Sequence, residues 1–316
     1  MTLHIDNLSQ CSLDELARSN GEVSLDIGIV AFGSDLRSTY ILTQLRRSFG
    51  CVVAIKCDDD VVAPSAILSF EKRYSAQVYD IDDACEKIAE EIKGRLAKGV
   101  VPKIFLDVSS LSRVGLAKIF ACLKVVCIDG AVWLSIGYSL ARYVRPPDQP
   151  FPSIRRLAPV HREFSGWGAL PSLPVDVIVS LGYEKGKAIG AVEYLEPRNR
   201  WVFVPNSPEQ RFLQQVKSHN KQLIQAGEGV IDYEVLEPLD TYYRLMSLVV
   251  GLSPTARPVL LPFGPKLFFA IALLVSMRFE KAAVWHVDSD EDSAGLMSSP
   301  SGLGVVFSCQ LVERAS

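Results

Sequence analysis

The feature that most constrains this chain is a β/α pattern that occurs twice, about 150 residues apart. "LDIGIVAFGSDLRSTYILTQL" (25–45) aligns with "VDVIVSLGYEKGKAIGAVEYL" (175–195). Each holds an Asp, a run of strand formers, a Gly turn and a helix that opens on charged residues. A second strand follows in each half, "CVVAIKCDDD" (51–60) and "RWVFVPNSPE" (200–209), and then a helical stretch, "ACEKIAEEIKGRLAKG" (84–99) and "LDTYYRLMSLVVGL" (239–252). The third match sets "KIFLDVSSLSRVGLAKIFACL" (103–123) against "PVLLPFGPKLFFAIALLVSM" (258–277), and a last strand carries Trp133 or Trp285. The interval from Asp26 to Trp133 is 107 residues and that from Asp176 to Trp285 is 109.

Short apolar runs alternating with longer periodic stretches imply mostly parallel sheets with helices on their faces. A period this long is not that of a solenoid. The expectation is an α/β fold of two tandem Rossmann-like parallel-sheet domains forming an internal pseudo-dimer. Residues 1–23 read as an N-terminal extension, 24–141 as the first domain, 142–174 as a Pro/Arg-rich connector and 175–316 as the second domain. The connector lacks helical periodicity, and its length allows an edge strand.

In an open parallel sheet, ligands bind beyond the carboxyl ends of the strands. Four strand-to-helix turns stand there: "FGSDLRS" (32–38), "VSSLSR" (108–113), "LGYEKGK" (181–187) and "PFGPK" (262–266). Each places a cation at or near a helix start: Arg37, Arg113, Lys185 with Lys187, and Lys266. A helix N-terminus carries partial positive charge, so a cation there is unfavourable unless an anion is close. Gly33, Gly182 and Gly264 permit close backbone approach, while Ser34, Ser109 and Ser110 can cap a helix or donate to an oxyanion. Together these residues form the expected ligand-binding set for phosphate.

A net charge of -3 and a 22% charged fraction point away from a surface built to coat DNA or membrane, so direct nucleic-acid binding is not favoured. The seven cysteines include no CxxC pair and read as core thiols. The N-terminal residues lack a signal-peptide pattern, and "LFFAIALLVSM" (267–277) is half the length of a spanning helix, so a cytoplasmic protein with a buried helix there is expected. GxGxxG, GxxxxGK[ST] and GxSxG are missing, so no cofactor is expected. The clusters "CDDD" (57–60), "DIDD" (80–83) and "HVDSDED" (286–292) read as turn and cap residues, and no metal is expected. Asp107 and Glu184 are the candidate general bases should the site be catalytic.

The four turns resemble those of the CRISPR-associated Rossmann fold (CARF) and the related SAVED domains, which bind cyclic oligonucleotide second messengers in prokaryotic immunity. "FGSDLRS" with "DVSSLSR" looks like the ligand-holding pair of the first half, and "LGYEKGK" with "PFGPK" stands in the equivalent places of the second. The resemblance implies a phosphate-bearing nucleotide in the cleft between the halves, in half-sites that differ chemically, with a separate effector protein chain as output. Three readings stay open: a sensor of an antiviral defence system, a nucleotide phosphoesterase using the same cleft, and a scaffold subunit. The scaffold would work through the connector and the C-terminal "GLGVVFSCQLVE" strand, read as an edge.

Overall fold

The computed structural model describes residues 2–18, 25–45, 49–57, 64–145, 154–166, 168–289 and 298–314. The elements run β1 (Thr2–Ser12), α1 (Leu13–Arg18), β2 (Leu25–Phe32), α2 (Tyr40–Leu45), β3 (Phe49–Lys56), α3 (Pro64–Tyr74), β4 (Ala76–Tyr79), α4 (Ile81–Leu96), β5 (Lys103–Asp107), α5 (Arg113–Val126) and β6 (Val132–Ala141). They continue β7 (Ile154–Pro159), β8 (Val175–Ser180), α6 (Lys187–Leu195), β9 (Asn199–Asn206), α7 (Gln210–His219), α8 (Lys221–Gln225), β10 (Gly229–Glu234), α9 (Pro238–Leu252), β11 (Arg257–Pro262), α10 (Lys266–Arg278), β12 (Ala283–Ser289) and β13 (Pro300–Arg314). The chain divides into two compact units, residues 1–142 with 293–316 and residues 143–292.

The first sheet has the order β1-β13-β6-β5-β2-β3-β4 and the second β10-β9-β8-β11-β12-β7. From β4 to β6 all pairs are parallel, as they are from β10 to β12. Ranked by position in its unit, each parallel set therefore has the order third, second, first, fourth, fifth. This is the order of the first five strands of a Rossmann sheet, with its topological switch point between the first and fourth strands. The switch points lie between β2 and β5 and between β8 and β11.

The strands read as continuous apolar runs because both faces are covered. All residues of β2 except Asp26 are buried, and so are all of β8 except Val175. On one face of the first sheet Val30, Val52 and Ala54 pack with Leu42 of α2 and Phe70 of α3. In the second, Val177, Val202 and Leu261 pack with Val192 of α6, Val216 of α7 and Leu223 of α8. Every residue of α10 from Leu267 to Met277 is buried, as its sequence implied. Among the described residues no helix is long and apolar enough to cross a membrane.

The domain boundaries differ from the expected ones. β13 lies in the first unit, between β6 and β1, and is antiparallel to both. The N-terminal residues are thus the outer strand of that sheet, and "GLGVVFSCQLVE" is an inner strand, not an edge. The connector supplies β7, an edge strand antiparallel to β12. The physical reason is common to both units: the outer side of the fifth parallel strand presents unpaired N–H and C=O groups, which an added antiparallel strand satisfies. That strand is in each case the one that follows the other half along the chain.

Two landmarks of the repeat fare differently. Asp26 and Asp176 are equivalent, both holding the start of the first strand at the edge away from the turns. Asp26 accepts the N–H of Lys103 at 2.7 Å and pairs with Arg95 at 3.3 Å. Asp176 is fully buried and receives Arg198 Nη2 at 2.6 Å and Nε at 3.0 Å. The tryptophans are not equivalent. Trp133 is level with Lys103, the first residue of β5, whereas Trp285 lies two residues beyond Ala283, itself level with Val259. The cysteines also depart from expectation: Cys127 and Cys309 are buried, and burial pushes both thiols up to about 12, but the other five are only partly buried.

Candidate functional site

At the carboxyl edge of the first unit's sheet, β5 ends on Asp107 and the chain crosses "VSSLS" into α5. The Val108 N–H donates to Gly137 O at 2.9 Å, so the turn leaves the sheet tied to β6. Asp107 Oδ1 accepts the Ser109 N–H at 2.9 Å, and Ser109 Oγ accepts the Ser139 N–H at 2.8 Å. Ser112 caps α5 by accepting the Gly115 N–H at 3.0 Å, which leaves Arg113 as the first helical residue.

Beneath this turn three polar atoms are buried with no hydrogen-bond partner: Asp107 Oδ2, Ser110 Oγ and Ser139 Oγ. Asp107 is 1% exposed and Ser110 9%. A buried polar group left unpaired costs about 1–3 kcal/mol, so the three together are a local cost that pairing would relieve. Burial pushes the Asp107 carboxyl up to about 7, against the opposing effects of its Ser109 hydrogen bonds and the nearby Arg37 guanidinium. It therefore exchanges its proton near neutrality.

Arg37 stands at the same edge but is occupied from its own turn. Its Nη2 donates to Asp35 Oδ2 at 2.7 Å, its Nε to Oδ1 at 3.2 Å and its backbone N–H to Oδ1 at 2.9 Å. Arg37 and Arg113 both act electrostatically on the buried Tyr138 phenol, which burial holds above its ordinary range. Ser34 and Leu36 are exposed on the rim beside Gly33. Asp35, Tyr138 and Ser139 were missed from the sequence. Asp35 lies inside a quoted turn, and "GYS" (137–139) belongs to the end of the fifth strand, which must reach the same edge.

The second unit's turns use the same positions otherwise. By register, Pro262 stands where Asp107 stands, and Gly264 where Ser109 does. A side chain at Gly264 would meet Ser180 Oγ at 2.6 Å and Leu181 O at 2.9 Å; one at Gly182 would meet Phe263 O at 2.6 Å. These glycines bring the two turns together backbone to backbone. The turn at 181–184 is also latched from behind, since Asn220 Nδ2 donates to Gly182 O at 2.9 Å and His219 Nδ1 to Tyr183 O at 2.6 Å. Ser180 and Tyr233 share a hydrogen bond of 3.1 Å under Gly264.

Two of the three expected cations of this unit sit at helix starts. Lys187, only 3% exposed, opens α6 after Gly186 at φ 86°, and Lys266 opens α10 after Pro265. Lys185 is exposed, and the Glu184 carboxylate folds over Gly182. Asp107 and Glu184, the two candidate bases, belong to different units.

Among the described residues the acidic clusters do not gather into a metal centre. Asp82 of "DIDD" pairs with Lys118 at 2.6 Å, and Asp80 stands at the N-cap of α4. Residues 58–60 of "CDDD" and 290–292 of "HVDSDED" lie outside the described residues. Among the described residues no three His, Cys, Asp or Glu side chains group as metal ligands do. Comparison with protein-family models returned no match, and neither did comparison with curated proteins.

Proposed function

We propose that the chain is a binding protein for a phosphate-bearing nucleotide, taken up at the β2/β5 switch point of its first unit. The observation that carries this reading is the trio of buried, partnerless polar atoms of Asp107, Ser110 and Ser139 beneath the N-terminus of α5. Hydroxyls can donate to a phosphate oxygen, the helix start and Arg113 supply positive potential, and the rim carries Ser34 and the 60%-exposed Leu36 for the ligand's body. Protonated, Asp107 adds a donor; ionised, it repels the anion. The likeness of "FGSDLRS" and "DVSSLSR" to CARF turns supports a narrower version, in which the ligand is a cyclic oligonucleotide, the setting is antiviral defence and a separate effector chain delivers the response.

Calorimetric titration with a panel of mono-, di- and cyclic nucleotides tests this. At least one is expected to bind, and Ser110→Ala with Arg113→Ala is expected to weaken it by about tenfold or more without lowering the melting temperature. A panel without a binder, or a double variant that binds as the parent does, refutes it.

One observation favours a second reading, phosphoester hydrolysis at the same place: a carboxyl held at about 7 is suited to general-base work. Product formed from a bound nucleotide by the parent and lost in Asp107→Asn would establish it.

A further inference from the structure

The second unit carries a surface pocket of about 380 Å³, open to solvent, that the turns do not use. Its polar lining is Arg200 of β9, Glu193 of α6, and Gln222 and Gln225 of α8; Val192 and Leu223 form an apolar wall. Arg200 is the second residue of β9 and level with Val177, so the pocket lies toward the start of the strands, whereas the turns stand at their carboxyl ends.

Among the described residues of this unit, Arg200 is set apart by a buried Nε that has no hydrogen-bond partner. In this unit Arg198, Arg211 and Arg244 each hold a carboxylate, at 2.6, 2.7 and 2.6 Å. The Arg200 guanidinium holds none among the described residues, although its Nε is enclosed and without a hydrogen-bond partner. Glu193 lines the same pocket, yet its carboxylate does not pair with Arg200. A fixed guanidinium fork fits a carboxylate, an unpaired carboxylate fits an ammonium, and the Val192–Leu223 wall fits a short aliphatic chain. The volume is at the small end of ligand pockets, which run from roughly 300 to 1,000 Å³, and it suits a metabolite rather than a nucleotide or peptide.

We infer that the second unit binds a small aliphatic α-amino acid in this pocket, its carboxylate on Arg200 and its ammonium facing Glu193. The site is independent of the nucleotide reading and stands or falls separately.

The test is titration of the full chain with L-leucine, its α-keto acid and L-leucinamide. Leucine is expected to bind, and the keto acid and the amide to bind about tenfold more weakly or worse, since each lacks one charged group. Arg200→Gln should abolish leucine binding, whereas Glu193→Gln should weaken leucine and leave the keto acid unaffected. Failure of leucine to bind at about 10 mM overturns the inference, because that is weaker than a charge-assisted contact allows. Equal binding of leucine and leucinamide overturns it as well, and needs no variant that might misfold. So does undiminished leucine binding by Arg200→Gln.

Discussion

The two switch points occupy the same place in the same strand order and are filled in opposite ways. In the first unit the turn after the fourth strand begins Asp-Val-Ser-Ser and leaves Asp107 Oδ2 and Ser110 Oγ buried without partners. In the second it begins Pro-Phe-Gly-Pro and closes against the facing turn through Gly182 and Gly264. The difference teaches that the repeat preserves a frame, not a site. Topology decides where a ligand can approach, and two or three residues at the turn decide whether polar capacity is left there to meet it.

The strongest way to break this comparison is to crowd the closed turn. Gly264→Val should cost about 4 kcal/mol or more, because the nearest atoms include the Leu181 carbonyl, which cannot retreat. Urea denaturation measures the loss, and hydrogen exchange should accelerate in β8 and β11 while β2 and β5 keep their protection. Uniform acceleration across both units would mean the closed turn is not the local constraint described.

The next effect belongs to Asp107. Its folded pKa of about 7 lies above the ordinary carboxylate value of 3.8, so between those limits the unfolded chain gives up a proton that the folded chain keeps. The stability this group contributes is complete below about pH 4 and is lost as pH rises toward 7, by on the order of 3–4 kcal/mol. Asp107→Asn should remove that slope, measured by urea denaturation at a series of pH values. Affinity for a phosphodiester, whose own charge is constant over this range, should likewise fall on crossing pH 7 in the parent and stay level in the variant.

The paired aspartates sharpen the comparison at smaller cost. Asp176→Ala should destabilise by about 2 kcal/mol, since it removes a fully buried partner of Arg198 and Asn199. Asp26→Ala, at a position whose side chain is 26% exposed, should cost about 1 kcal/mol. Ser109→Ala, which leaves the buried Ser139 N–H without its acceptor, should cost about 1 kcal/mol in the same assay.

Much of the frame was legible because burial on both faces writes itself into strands such as "LDIGIVAF" and helices such as "LFFAIALLVSM". The added strands were not. The pairing of β13 with β6 joins segments far apart in the chain, and periodicity carries no information about which edge a strand will cover. The tryptophan landmark misled for a related reason, since interval along the chain is not register. The glycines were legible as places of close approach, but a missing Cβ admits a ligand or a neighbouring turn equally well. At Gly264 it admits the turn. Arg37 stood out as a cation near a helix start, yet Asp35, two residues before it, takes up its fork.

The most direct measurement of the central claim is the small-molecule load of three proteins purified from the same host cells: the parent, Arg113→Ala and Lys266→Ala. Each is denatured and its released nucleotides are identified by mass spectrometry. If the first unit's switch point is the binding site, the parent and Lys266→Ala release the same nucleotide and Arg113→Ala releases none. An Arg113→Ala protein with an undiminished load, or a parent that releases no nucleotide, contradicts it.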